Sequence, residues 1–430
     1  MADTAATGTK GGVARLRAIV GGSAGNMVEV YDWFAYASFA LYFAKAFFPA
    51  GDQTGQLLNT AAVFAVGFLA RPLGAWLMGL YADRVGRRAA LMLSVSLMCL
   101  GSLIIGLCPG AAQIGVAAPT ILVLARILQG VSLGGEYGTS AVYLSEMAGR
   151  ERRGFWSSFQ YVTLISGQLL AMATLVILQS VMSTEALDAW GWRIPFFIGA
   201  GLAVVVVWMR RRLEETPSFL VRGRERARVM MLFTRHPRES LIVFGLTAGG
   251  TLAYYTYTTY VQKLLVNTSG FTKATASQIT FGALVLFMLI QPLFGWLSDK
   301  VGRRAVLIGF GVCGVLGAWP ILWGLAHTRD AGIAFALVAF SLTIVAAYTS
   351  VNAVVKSELF PTEVRALGVA LPYAFANSLF GGTAEYVALW FKQAGRETWF
   401  FTYVTVVIGL SLLVYVFMRD TKAHSQILED

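Results

Sequence analysis

The string GLYADRVGRR spans Gly79 to Arg88, and a degenerate copy, GWLSDKVGRR, spans Gly295 to Arg304. Every aligned position is displaced by 216 residues in a chain of 430, so the sequence reads as two related halves carrying the same polar loop. Each string follows one long apolar segment and precedes another. The strings are therefore expected to be short connections between membrane helices, the mark of a transporter built from repeated helix bundles.

Composition agrees. With 57 % hydrophobic and 13 % charged residues and a mean hydropathy of +0.64, the chain lacks the polar surface that a soluble fold needs. A span needs about 20 apolar residues. Twelve candidates occur near 17–43, 56–82, 89–108, 119–147, 155–181, 192–212, 238–265, 274–298, 305–325, 330–356, 366–392 and 397–418. The expected class is an all-α polytopic membrane protein with two pseudo-symmetric six-helix bundles. Its net charge of +11 reports topology instead of nucleic-acid binding. Basic clusters at Arg84, Arg87 and Arg88, at Arg150, Arg152 and Arg153, and at Lys300, Arg303 and Arg304 alternate with the uncharged gap 109–118. The positive-inside rule then puts both termini in the cytoplasm. The division is an N-terminal tail 1–16, a bundle 17–212, a basic linker 213–237, a bundle 238–418 and a tail 419–430.

Several chemistries are disfavoured. No GxxxxGK[ST] loop occurs, which argues against ATP-driven transport. Cys99, Cys108 and Cys313 show no paired spacing, and His236, His327 and His424 fall in loops or tails, so neither a metal site nor a cofactor is expected. No catalytic set of an enzyme is visible.

Ionisable groups inside spans are costly and rarely idle. Helix 1 carries Glu29 and Asp32, helix 2 Arg71, and helix 4 Arg126 and Glu136. At about 1.5 Å per residue, Arg71, Glu29 and Glu136 fall in a central stratum, and Asp32 and Arg126 lie further outward. A midplane arginine is suited to grip a carboxylate with its planar fork; alternatively it neutralises Glu29 or Glu136 and orders the bundle. A carboxylate beside an arginine is suited to exchange a proton. Tyr254 and Tyr257 of helix 7 share one face and are candidate donors to an organic acid or simply core. Asn377 and Glu385 are the polar candidates of helix 11. The glycine series Gly130, Gly134, Gly138 reads as helix packing. No aromatic box is apparent near Arg71, which favours an acid over a zwitterion.

GLYADRVGRR resembles the signature loop of the major facilitator superfamily, and RILQG at Arg126 to Gly130 resembles its second motif. GNMVEVYDWFAY (Gly25–Tyr36), LARILQGVSLGGEYGTSAVYLSE (Leu124–Glu146), WGWRIPF (Trp190–Phe196) and ELFPTEVRALGV (Glu358–Val369) resemble its metabolite:proton symporter family across essentially the whole chain. The resemblance implies two bundles rocking about a central site, with cytoplasmic latches formed from Asp83, Arg87, Arg88, Glu146, Arg153, Asp299, Arg303, Glu358 and Arg365. It also implies a proton-linked pair of Asp32 with Arg126. The expected function is import of 2-oxoglutarate or a close dicarboxylate with protons through a bacterial inner membrane, by a monomer. Arg71, Tyr254, Tyr257, Gln160 and Asn377 are assigned to the substrate, and Asp32, Arg126, Glu29 and Glu136 to proton coupling. The alternatives are the same fold carrying citrate, shikimate, proline or betaine, or a passive channel or transporter-like sensor.

Overall fold

The computed structural model describes residues 12–85, 87–134, 141–142, 144–145, 148–210, 232 and 234–427, without the side chains of 12–25, 79–80, 82–84, 87–88, 91 and 209–210. Twelve long helices run through the described residues. In the first half these are α1 (Gly12–Phe47), α2 (Gln53–Val85), α3 (Arg87–Leu107), α4 (Ala117–Leu133), α5 (Arg153–Val181) and α6 (Ile194–Arg210). In the second half, α7 joins Pro237–Tyr255 to Val261–Asn267 through a π-helical turn, Thr256–Tyr260. It is followed by α8 (Lys273–Val301), α9 (Arg303–His327) and α10 (Ala331–Leu359). Then α11 joins Arg365–Ala376 to Ala384–Gln393 through a second π-helical turn, Asn377–Gly381, and α12 is Glu397–Phe417. The linker expected at 213–237 lies mostly outside the described residues.

The structure corrects the reading of the paired strings as loops. Gly79–Val85 closes α2 and Gly295–Val301 closes α8, so each string is mostly helix end. In the second copy Gly302 alone makes the turn, with a φ of 96°, a conformation that a side chain resists. The first copy's counterpart, Gly86, is outside the described residues.

Both faces of these helices are apolar for different reasons. On α2, Phe64 and Phe68 are buried in the bundle while Leu69, Leu73 and Trp76 are exposed on the outer surface, as befits a helix with protein on one side and lipid on the other. Pro72 and Pro292 sit inside α2 and α8, eleven residues before Asp83 and seven before Asp299, one helical turn apart in the register of the paired strings. Within the first half α2 and α4 pack backbone to backbone: a Cβ on Gly130 would strike the carbonyl oxygen of Gly67. The glycine spacing thus serves close helix approach. Gly130→Ala should lower thermal stability by about 1–3 kcal/mol, read as a fall in melting temperature of the purified protein. The halves meet where α5 runs along α8 and α10, and where α2 runs along α11.

Candidate substrate and proton site

Between the halves lies a cavity of about 60 Å³, lined by Asn26, Val30, Trp33 and Phe34 of α1, Arg71 of α2, Leu133 of α4, Tyr161 and Leu164 of α5, Thr251, Tyr254 and Tyr255 of α7, and Tyr373 and Asn377 of α11. Four helices of one half and two of the other thus share it. Both π-helical turns abut it: Tyr254 and Tyr255 lead into the first, and Asn377 opens the second. Such turns widen a helix locally and re-aim the side chains around them.

Among the described residues, Arg71 is the cavity's only lining cation. Its guanidinium carbon lies 4.3 Å from the ring centre of Trp33 and 4.1 Å from that of Phe68. The Tyr255 hydroxyl interacts with both Arg71 and Asn377, and Nε of Arg71 is buried without a hydrogen-bond partner. Among the described residues no carboxylate belongs to the lining; the carboxylate that acts on Arg71 through space is Glu29. Tyr254 donates to Gln168 Oε1 at 2.9 Å, tying α7 to α5.

Of the residues assigned to the substrate, Arg71, Tyr254 and Asn377 reach the cavity. Tyr257 and Gln160 do not line it: both are buried, with the Tyr257 hydroxyl and Gln160 Nε2 unpartnered. The next residue after Gln160, Tyr161, takes the lining position. The expectation that Arg71 has no aromatic box is overturned, since six rings enclose the cavity: Trp33, Phe34, Tyr161, Tyr254, Tyr255 and Tyr373. These rings come from four helices far apart in sequence, so no local spacing reveals them. The box already holds the protein's own cation, because Arg71 occupies the face of Trp33.

A second polar cluster lies beside the cavity. Asp32 is buried and accepts from Gln129 Nε2 at 2.6 Å and from the Ser102 hydroxyl. Gln129 Oε1 accepts from Arg126 Nη1 at 2.8 Å. Asp32 and Arg126 are therefore joined through an amide, which corrects the expected direct pair. Gln129 sits three residues after Arg126, on the same helical face, and its donor and acceptor ends suit a carboxylate on one side and a guanidinium on the other. The other titratable groups facing Asp32 are the Tyr31 hydroxyl, which donates to Pro195 O at 3.1 Å, and the Cys99 thiol. Glu29 is buried nearby and accepts from Ser94 Oγ at 3.4 Å. Glu136 is outside the described residues.

Both exits from the cavity are bridged between halves. On the face carrying the paired strings, Asp299 caps the start of α5, accepting from Gly154 N at 2.8 Å and Phe155 N at 2.9 Å. Arg303 pairs with Asp299 at 2.7 Å and with Glu358 at 3.6 Å, and Arg153 approaches Glu358 at 3.7 Å. The C-terminal tail lies over this cluster, with Thr421 donating to Glu358 at 2.6 Å and Arg365 donating to Gln426 O at 2.9 Å. Of the remaining latch candidates, Glu146 and the side chains of Asp83, Arg87 and Arg88 lie outside the described residues. On the opposite face, Lys263 donates to Ala37 O at 2.6 Å and pairs with Glu385 at 3.3 Å. Lys273 pairs there with Asp188 at 2.8 Å. Among the described residues, ion pairs and hydrogen bonds thus join the halves on both faces.

Comparison with known proteins fits this geometry. The family described as sugar (and other) transporter matches residues 18–235 and 222–428. The alpha-ketoglutarate permease of Escherichia coli (strain K12) is 52 % identical over 405 residues, covering 94 % of each chain. The citrate-proton symporter of Salmonella typhi is 35 % identical, over 98 % of this chain and 97 % of its own. Among solved structures, a partially occluded inward-open xylose transporter from E. coli superposes with a TM-score of 0.72 at 19 % identity, over 95 % of this chain and 98 % of that one.

Proposed function

Since the chain belongs to the sugar (and other) transporter family and has its twelve-helix fold, we propose that it is a proton symporter importing 2-oxoglutarate or a close dicarboxylate by alternating access. The observation that carries this reading is Arg71: a lining arginine with no carboxylate among the described lining residues. A half-buried cation of this kind is costly alone and is compensated when a carboxylate docks on its fork. Tyrosine and asparagine donors around it suit the remaining oxygens. The alpha-ketoglutarate permease relative supports the keto acid as substrate. A zwitterion would need an aromatic cage or an acidic partner for its cation; the described lining holds no carboxylate, and the face of Trp33 is already taken by Arg71.

Asp32 is the proton carrier in this scheme, with Arg126 as its counter-charge through Gln129; Glu29 and Glu136 are auxiliary carboxylates. A dianion that enters with one proton moves one net negative charge against the membrane potential, at about 2.3 kcal/mol per 100 mV, and a second proton removes that cost. The chain is a multi-pass inner-membrane protein. We place the face with the paired strings, and with it both termini, in the cytoplasm. Uptake of labelled 2-oxoglutarate into proteoliposomes, with and without an imposed proton gradient and with competing acids and zwitterions, tests the reading. Gradient-driven uptake blocked by dicarboxylates is expected; gradient-independent flux or indifference to dicarboxylates would refute it.

The Asp299 cap is assigned to holding the cytoplasmic exit shut. Asp299→Asn keeps the shape but removes the charge that both α5 amides and Arg303 bind, and charged hydrogen bonds of this type contribute about 1.5–3 kcal/mol. The variant should shift the population toward the inward-open state by about tenfold or more. Labelling of a cysteine introduced at Ser158, next to Gly295 in the seam, should rise by that factor from the cytoplasmic side.

A further inference from the structure

A single indole joins the two arginines. Trp33, buried and next in sequence to Asp32, has the guanidinium carbon of Arg71 4.3 Å and that of Arg126 3.9 Å from its ring centre. Arg126 is enclosed further by Tyr36 at 4.4 Å and Phe64 at 5.3 Å. Hydrogen bonding accounts for only part of the arrangement: Arg126 Nη1 donates to Gln129, whereas Nε and Nη2 of Arg126, Nε of Arg71 and Nε1 of Trp33 are all buried without partners. Two like charges from different helices are held against one aromatic ring.

We propose that Trp33 is the positioning residue that couples protonation of Asp32 to binding of the substrate carboxylate at Arg71. The proposal rests on the proton-symport reading and names the physical link within it. The path runs from Asp32 through Gln129 to Arg126, across the indole, and on to Arg71 in the cavity. While Asp32 is ionised, its charge offsets Arg126, and Arg71 is offset only through space by Glu29. A proton on Asp32 removes that offset, so the local charge around the ring rises by one and an anion at Arg71 is held more tightly. By linkage, the bound anion in turn favours the proton on Asp32. That is the sign symport requires.

The ring makes the coupling strong. It stabilises each guanidinium through its face and keeps water from the space between them, where the effective dielectric is low and one elementary charge is strongly felt. Without the indole, water would enter and screen one arginine from the other, although both charges and the Gln129 link would remain. The further groups near the path, Tyr31 and Cys99 beside Asp32 and Tyr255, Tyr373 and Glu29 around Arg71, are unaltered by a change at Trp33. A lost pH response therefore reports on the ring.

Equilibrium binding of 2-oxoglutarate to the purified full-length protein at acidic and alkaline pH, together with the pH dependence of KM and kcat in proteoliposomes, tests this in the wild type, Trp33→Leu and Trp33→Phe. Wild-type affinity should tighten by about tenfold on acidification, within the usual range of coupling between sites. Trp33→Leu should bind more weakly at both pH values, with its acid-to-alkaline affinity ratio close to unity, and Trp33→Phe should give an intermediate ratio because its face is a weaker cation partner. A wild-type ratio in Trp33→Leu overturns the proposal; should that variant not fold, a wild-type ratio in Trp33→Phe does so. If the wild-type protein itself ignores pH, the symport reading falls and the proposal with it, and the failure is visible before any variant is compared.

Discussion

Replacing Arg71 by glutamine should cut uptake efficiency by about two to three orders of magnitude, the usual consequence of removing one side of a desolvated charge pair. The choice of glutamine comes from the chain itself. RPL at Arg71 to Leu73 becomes QPL at Gln291 to Leu293 in the second half, and there the glutamine is buried and satisfied, accepting from Thr349 at 2.9 Å and donating to Phe287 O at 3.3 Å. The fold thus accepts a buried amide before the proline of this tripeptide, one helical turn nearer the string than Arg71 is. Arg71→Gln also removes a half-buried cation without an ion-pair partner among the described residues, so the unliganded protein should melt no lower than wild type. Transport and stability should move apart, which a misfolded variant cannot imitate. Arg71→Lys should recover only part of the loss, because an ammonium lacks the planar fork that holds both carboxylate oxygens. Initial uptake rates with melting curves on the same preparations check all of this; wild-type uptake by Arg71→Gln would remove Arg71 from the substrate site.

The route from sequence to this site was uneven for physical reasons. Apolar length and the paired strings identify twelve helices in two halves, because a span's composition is dictated by lipid and needs no tertiary information. Arg71, Asp32 and Arg126 are legible for a related reason: a charge at that depth is expensive wherever its partners are. What stayed hidden depends on convergence. Trp33 lies inside the string GNMVEVYDWFAY and four residues after Glu29, yet an aromatic residue in an apolar helix looks the same whether it faces lipid, core or a guanidinium. Gln129 was visible at three residues from Arg126, and only the position of Asp32 on another helix shows that its amide stands between them. Tyr161 and Gln160 are neighbours about 100° apart on one helix, so an uncertain helix rotation exchanges a lining residue for a buried one. The π-helical turns at Thr256–Tyr260 and Asn377–Gly381 had no sequence signal beyond a polar run, and they re-aim the residues around Tyr254 and Asn377.

Neutralising the proton site should separate binding from accumulation. Asp32→Asn keeps the size of the side chain, and its hydrogen bonds can be remade: the amide oxygen can accept from Gln129 Nε2, while the amide nitrogen donates to Ser102, whose hydroxyl rotates to accept. The cluster is therefore expected to fold with Arg126 still linked to Gln129, but with a group that cannot take up or release a proton. In the wild type, each unit of pH difference can support about tenfold accumulation per proton carried, since one unit corresponds to about 1.36 kcal/mol. In Asp32→Asn that contribution should vanish, and the internal substrate level should stop at the value set by the external concentration and the membrane potential, with uptake indifferent to external pH. Asp32→Glu should not restore it. A Cβ on Gly199 would already meet Asp32 Oδ1, so α6 leaves no room for a longer side chain, and Gly199→Ala should injure the same step from the other side of the contact. Substrate accumulation measured against an imposed pH gradient, with proton entry followed by an internal pH dye, distinguishes the outcomes: gradient-driven accumulation by Asp32→Asn would move the proton to Glu29 or Glu136.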